Sequence, residues 1–295
     1  MLAATALALA LRLLAVGHHS FWYDEAESVR FINYRFAELA LGARHDNGSP
    51  PFYFLLLKPW AALLGESEAA LRGLSVLFGV AAVPLLALVA RRLVGEGAAA
   101  IACWLLALSP FAVELSNEAR TYALVVLLGL ANVYFFLAWR ETRRLGPALA
   151  YAVTTFLACY SHYFAFALPL SQGLTVLLLH RRERLLWRWA GVMVLAGLLW
   201  SFWLPTFLAQ ITVREDTQEG WLFQFLGAPV ALAVGRTFAW KESGRPLLAL
   251  ALAVAAVFFA LAARGLLALR QERFTAVFLT SWFLMPIVPP FIAAL

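Results

Sequence analysis

PPFYFLLLKPWAALLG, residues 50–65, is the stretch on which the topology of the chain turns. It is apolar, opens on Pro50-Pro51 and carries a third proline at Pro59. If it crossed a bilayer, every arginine cluster after it would change sides. Spanning takes about 17–25 apolar residues, so a run this short and proline-marked reads as interfacial or re-entrant. It is therefore laid along the outer membrane surface.

The surrounding chain is built for hydrocarbon. Hydrophobic residues make up 63% and charged residues 14% of the 295 positions, against roughly 45–50% and 25% in soluble domains. Apolar stretches near 1–17, 69–90, 97–114, 121–139, 147–161, 165–179, 188–208, 246–263 and 274–293 predict about nine spans in one all-α polytopic bundle, a single domain over 1–295. The first stretch lacks a basic n-region and reads as a retained span rather than a cleaved leader. ARRLVGEG, WRETRRLG, HRRERLLWR and ARGLLALRQERF fall in alternate loops, which the positive-inside rule places in the cytoplasm. Residues 18–68 and 209–245 are then extracytoplasmic, in a multi-pass protein of a cytoplasmic membrane. The net charge of +6 comes from these short loops, so it sets orientation and forms no nucleic-acid surface. Cys103 and Cys159 lie inside apolar segments and suggest neither a disulfide framework nor a zinc site. The sequence stops on FLMPIVPPFIAAL, which reads as the amino-terminal part of a longer protein lacking later spans.

Acids gather on the outer side: of seventeen carboxylates only Glu96, Glu141, Glu183 and Glu272 sit in inner loops. HSFWYDEAES, residues 19–28, leaves the first span carrying Asp24, Glu25 and Glu27. Val29, Ile32, Phe36 and Leu39 then repeat at helical spacing, predicting one amphipathic helix in the interface. His45 and Asp46 follow before the double proline. ELSNEARTYAL brings Glu118, Arg120 and Tyr122 to the outer start of the fourth span, and CYSHYFAF places His162 in a tight hairpin. Each has a structural reading. Asp24 fits a helix cap with Glu25 complementing the dipole, His45 and Asp46 fit a solvated turn, and His162 fits an interfacial anchor. Arg120 fits less well, because a cation in the first helical turn opposes the macrodipole unless an anion binds there.

Carboxylates and cations at a lipid interface suit group transfer from a lipid-linked phosphate. The leaving phosphate needs only positive charge, from Arg120, Lys58 or His162. The acceptor hydroxyl needs a base, which a carboxylate such as Asp24 supplies. Asp24, Glu25 and Asp46 are also hard oxygen ligands suited to Mg²⁺ or Mn²⁺. Two other readings stand beside this one: a transporter or lipid flippase with an acidic outer gate, and a scaffold whose acids are only caps.

LALRLLAVGHHSFWYDEAES, PPFYFLLLKPWAALLGESEAALRGLSVLFGV, LLALSPFAVELSNEARTYALVVLLGL and YSHYFAF together resemble the bacterial membrane glycosyltransferases of family 39. These are GT-C-fold enzymes similar to protein O-mannosyltransferases and to the aminoarabinose transferases of lipid A. The resemblance covers most of 8–180. It implies a helical bundle with a long first extracytoplasmic loop, a polyprenyl-phosphate sugar donor, inversion at the anomeric carbon, and a lipid, glycan or protein acceptor. It implies Asp24 as base with Glu25 as its partner or as a substrate clamp. The block Ser116, Glu118, Ala119, Arg120, Tyr122 implies Arg120 at the donor phosphate. Where the family usually has His or Lys before the double proline this chain has Ser49, leaving His45 or Lys58 to substitute.

Overall fold

The computed structural model describes residues 1–17, 20–42, 50–212 and 245–285, and among these the chain is all-α with no strand. The helices are α1 (Leu2–Ala15), α2 (Tyr23–Ile32), α3 (Phe36–Leu41), α4 (Phe52–Leu64), α5 (Glu68–Val94), α6 (Glu96–Leu108) and α7 (Pro110–Ser116). They continue as α8 (Tyr122–Thr142), α9 (Leu145–Cys159), α10 (Ala167–His180), α11 (Arg184–Trp200), α12 (Leu204–Thr212), α13 (Arg245–Ala268) and α14 (Arg273–Leu284). Among the described residues five helical stretches are long and apolar enough to cross a membrane, or six if the bent pair α6–α7 is one span. The expectation of nine is not reached by length. Leu2–Leu14 and Leu145–Cys159 are apolar helices of 10–17 residues, and the described part of the last stretch is the helix Arg273–Leu284; fifteen residues reach only about 22 Å against roughly 30 Å of hydrocarbon. α4 is in the same short class, and it runs through Pro59 without breaking.

Local chemistry sets the ends. The Ser67 hydroxyl accepts the Ala70 N–H at 3.3 Å to start α5, and Gly95 ends it at φ 89°. The predicted span 97–114 is broken because Ser109 caps a new helix, accepting the Ala112 N–H at 3.3 Å, with Pro110 in its first turn. Proline suits that position, where its missing N–H costs nothing. The two halves bend by 58°. Such a break leaves carbonyls without helical partners, and Arg12 of α1 supplies them. Fully buried, it donates to Ala107 O at 3.4 Å and Leu106 O at 3.5 Å, and through Nε to Ser116 Oγ at 3.0 Å.

This meeting of α1, α5 and α7 needs a glycine. A Cβ on Gly79 would lie 2.1 Å from Ser116 Oγ and 3.0 Å from Arg12 Nε. Gly79→Ala should therefore lower the unfolding temperature in detergent, an overpacking cost of about 1–3 kcal/mol. Adding Ser116→Gly should recover part of the loss. If Gly79→Ala unfolds as the parent does, the close approach carries no stability.

Small residues also close the contact of α1 with α5 and α6, through Ala4, Ala8, Val83, Cys103 and Ala107, as expected where packing rather than transfer from water drives association. Val133, Phe136, Tyr151 and Phe278 centre a larger core shared by α8, α9 and α14. The single amphipathic helix expected through Val29, Ile32, Phe36 and Leu39 is two helices. Lys58 Nζ donates to Ile32 O at the end of α2, Asn33 Nδ2 donates to Val29 O at 3.0 Å, and α3 restarts with the Glu38 carboxylate accepting the Arg35 N–H at 3.2 Å. Ile32 and Leu39 still face one core, packed on Phe54, Leu57 and Leu74, while Phe36 is exposed.

Candidate active site

One end of the bundle is tied together by Glu25. It lies in the first turn of α2 and is 1% exposed. Arg72 of α5 grips it with two nitrogens, Nε to Oε1 at 2.8 Å and Nη2 to Oε2 at 2.7 Å. The Ala119 backbone N–H donates to Oε1 at 2.8 Å, and the Trp22 N–H to Oε2 at 3.4 Å. An acid offering both oxygens to so many donors is held as a charged anchor. The contact with Ala119 draws the turn between α7 and α8 against α2.

That turn, residues 117–121, is pinned twice more. Ser75 Oγ, itself paired with Tyr53 Oη at 2.8 Å, donates to Arg120 O at 3.3 Å, and Thr121 Oγ1 donates to Ser161 O at 3.0 Å. Arg120 therefore stands just before α8 rather than inside its first turn. Its guanidinium is drawn to Asp24, with Nη1 donating to the Asp24 carbonyl at 3.0 Å and Nη2 lying 3.9 Å from Oδ2. Its Nε is buried with no hydrogen-bond partner. The Asp24 side chain keeps 31% of its surface exposed. Because Thr121 spends its hydroxyl on Ser161, α8 begins with no side-chain cap and no acid in its first turn. A helix start with neither a side-chain cap nor an acid favours an anion through its dipole.

His162 borders the same place, its ring 6.1 Å from Tyr122 and stacked on Phe164 at 5.3 Å. Burial pushes its pKa below the ordinary histidine value, and the charge of Arg120 pushes the same way. At pH 7 it is a neutral donor rather than the cation expected from sequence. Its Nδ1 accepts the Phe164 N–H at 3.2 Å, leaving the proton on Nε2.

The other expected residues are dispersed. Glu118 is nearly buried and close enough to Arg72 to feel its charge. Lys58 is turned to Ile32 O and the Phe36 ring, 5.5 Å away. His45 and Asp46 lie outside the described residues. For a metal, no group of three or more His, Cys, Asp or Glu converges among the described residues. Both Glu25 oxygens already face Arg72, Asp24 stands beside Arg120, and Asp46, the third candidate ligand for Mg²⁺ or Mn²⁺, lies outside the described residues. Arg72 and Arg12 escaped the sequence reading. A charge inside an apolar stretch was the available signal.

Beside the turn, between Ser116 and Ala123, lies a cavity of about 660 Å³ walled by Leu105, Phe111, Leu115, Val126 and Phe258. A family model described as dolichyl-phosphate-mannose-protein mannosyltransferase matches residues 48–205, a span holding Arg72, Arg120 and His162 but not Asp24. The crystal structure of an Archaeoglobus fulgidus oligosaccharyltransferase, in complex with zinc and sulfate, superposes with a TM-score of 0.50 at 15% identity, over 99% of this chain and 52% of that one. At that identity the likeness is of fold, and this chain spans about half the length of that relative. No curated protein matches.

Proposed function

The chain belongs to the family described as dolichyl-phosphate-mannose-protein mannosyltransferase, and from that premise we propose that it moves a sugar from a polyprenyl-phosphate donor to an acceptor hydroxyl on the extracytoplasmic face. Glycosyl transfer in a membrane is the activity the family carries; the donor, the face and the residue roles are our reading. The observation that carries it is Arg120. Its buried, unpaired Nε and loose 3.9 Å contact with Asp24 stand beside the uncapped start of α8.

In this reading the donor phosphate sits at the α8 N-terminus, held by Arg120 and the Nε2–H of His162. Its isoprenoid chain enters the apolar cavity beside Ser116. The sugar parts Asp24 from Arg120. Asp24 takes the proton of the acceptor hydroxyl as that oxygen bonds to the anomeric carbon from the side opposite the phosphate. The carbon–oxygen bond to phosphate breaks with inversion, and its electron pair leaves on the lipid phosphate. Weakly basic phosphate needs charge stabilisation rather than a proton. Glu25 touches neither substrate; it positions Arg120 through Ala119. A transporter would look to the broken helix α6–α7 for its ion site, but Arg12 already occupies carbonyls there.

Purified protein incubated with polyprenyl-phosphate-mannose and other polyprenyl-phosphate sugars should release bare polyprenyl phosphate when an acceptor is present. Arg120→Met should slow release by roughly 10²–10³-fold, as for loss of one donor to a developing anion. Release at the parent rate from Arg120→Met would remove the phosphate site, and no release from any polyprenyl-phosphate sugar would remove the reaction.

A further inference from the structure

At the opposite, arginine-rich end a cavity of about 460 Å³ opens between the end of α8, the start of α9 and the face of α11. Arg143, Arg144 and Arg188 line it together with Leu149, Val192 and Leu195. None of the three arginines has an ion-pair partner among the described residues. The neighbouring acids are engaged elsewhere, Glu141 with Arg92 at 2.9 Å and Glu183 with His180 at 2.8 Å. Arg143 holds a left-handed backbone, φ 56°, closing α8 through its N–H on Trp139 O at 2.8 Å. α9 then begins at Arg144 with no side-chain cap and no acid in its first turn. Three exposed arginines thus line one cavity at the start of α9, whose helix dipole adds positive charge there and favours an anion.

We propose that this cavity binds an anionic phospholipid, its phosphodiester on Arg143, Arg144 and Arg188 and an acyl chain along Leu149, Val192 and Leu195. The half-apolar lining selects a lipid over a free phosphate. Leu145, Leu149 and Trp187 are 72%, 44% and 78% exposed around it, a face that matches the edge of hydrocarbon. Basic pockets between helices on the cytoplasmic side are natural sites for acidic headgroups, and the positive-inside rule puts this end there. The site is remote from Asp24 and does not rest on the glycosyl-transfer reading.

The test is lipid retention by the purified chain, titrated in detergent with phosphatidylglycerol or phosphatidylcholine and read by native mass spectrometry. Phosphatidylglycerol should be held more tightly, and Arg143→Gln/Arg144→Gln/Arg188→Gln should weaken it roughly tenfold or more. Removing equal charge as Arg181→Gln/Arg182→Gln/Arg184→Gln should leave binding near the parent value. Gly191→Trp offers a variant with every charge intact. A Cβ added there meets no atom within 4 Å and the residue lines the cavity, so the indole should occupy it and expel the lipid while the fold persists. Equal binding of the two lipids, equal loss in the two triple variants, or an unaffected Gly191→Trp would each overturn the proposal. Displacement by millimolar inorganic phosphate would do so as well, by making the ligand a free anion.

Discussion

Asp24→Asn is expected to cut sugar transfer by about 10²–10⁴-fold, the range for loss of a general base, while the protein inserts and melts as the parent does. The carboxamide keeps the volume and leaves the contact of Arg120 with the Asp24 carbonyl, which is a backbone oxygen. What disappears is proton affinity. The loss should fall on kcat with little change in the donor KM, because the donor is held through its phosphate on the other side of the pair. In Asp24→Ala, which empties the place of the carboxylate, a small exogenous carboxylate such as formate should restore part of the rate. Rescue would separate a missing base from a missing contact, since a binding role has no use for formate. Full activity in Asp24→Asn would remove the base assignment.

Composition and loop charge made the all-helical membrane class readable, because both are summed over the chain and tolerate local error. The same summing hides breaks. SPF at 109–111 is a helix-start signal, serine cap then proline, inside an otherwise continuous apolar run, and hydropathy averages over it. The split of the interfacial helix at Asn33 was hidden for another reason. It depends on Lys58, 26 positions from the carbonyl it caps. Asp24 and Arg120, read from the sequence as base and phosphate contact, lie 3.9 Å apart. The means of bringing them together was not readable. Arg72 looks from sequence like one more residue at the edge of a span, and only the folded chain shows it 47 positions from the acid it grips. Nothing local to Glu25 separates an anchor from a catalytic acid when Asp24 is its immediate neighbour.

That anchor yields the largest expected effect on stability. Glu25 and Arg72 side chains are 1% and 5% exposed, so removing either leaves the other charge buried without its partner, a cost of about 3–5 kcal/mol. Glu25→Gln and Arg72→Met should each lower the unfolding temperature in detergent sharply. The double variant Glu25→Leu/Arg72→Met should be less damaged than the sum of single apolar losses, because no charge remains stranded. Activity should not follow stability. With Glu25 gone the Ala119 N–H loses its acceptor, the 117–121 turn is released from α2, and Arg120 no longer aims at Asp24. The double variant should therefore fold but transfer sugar slowly, with a raised donor KM as well as a lowered kcat. If it regained activity along with stability, the ion pair would be packing alone. The turn carrying Arg120 would then owe its place to Ser75 and Ser161 rather than to Glu25.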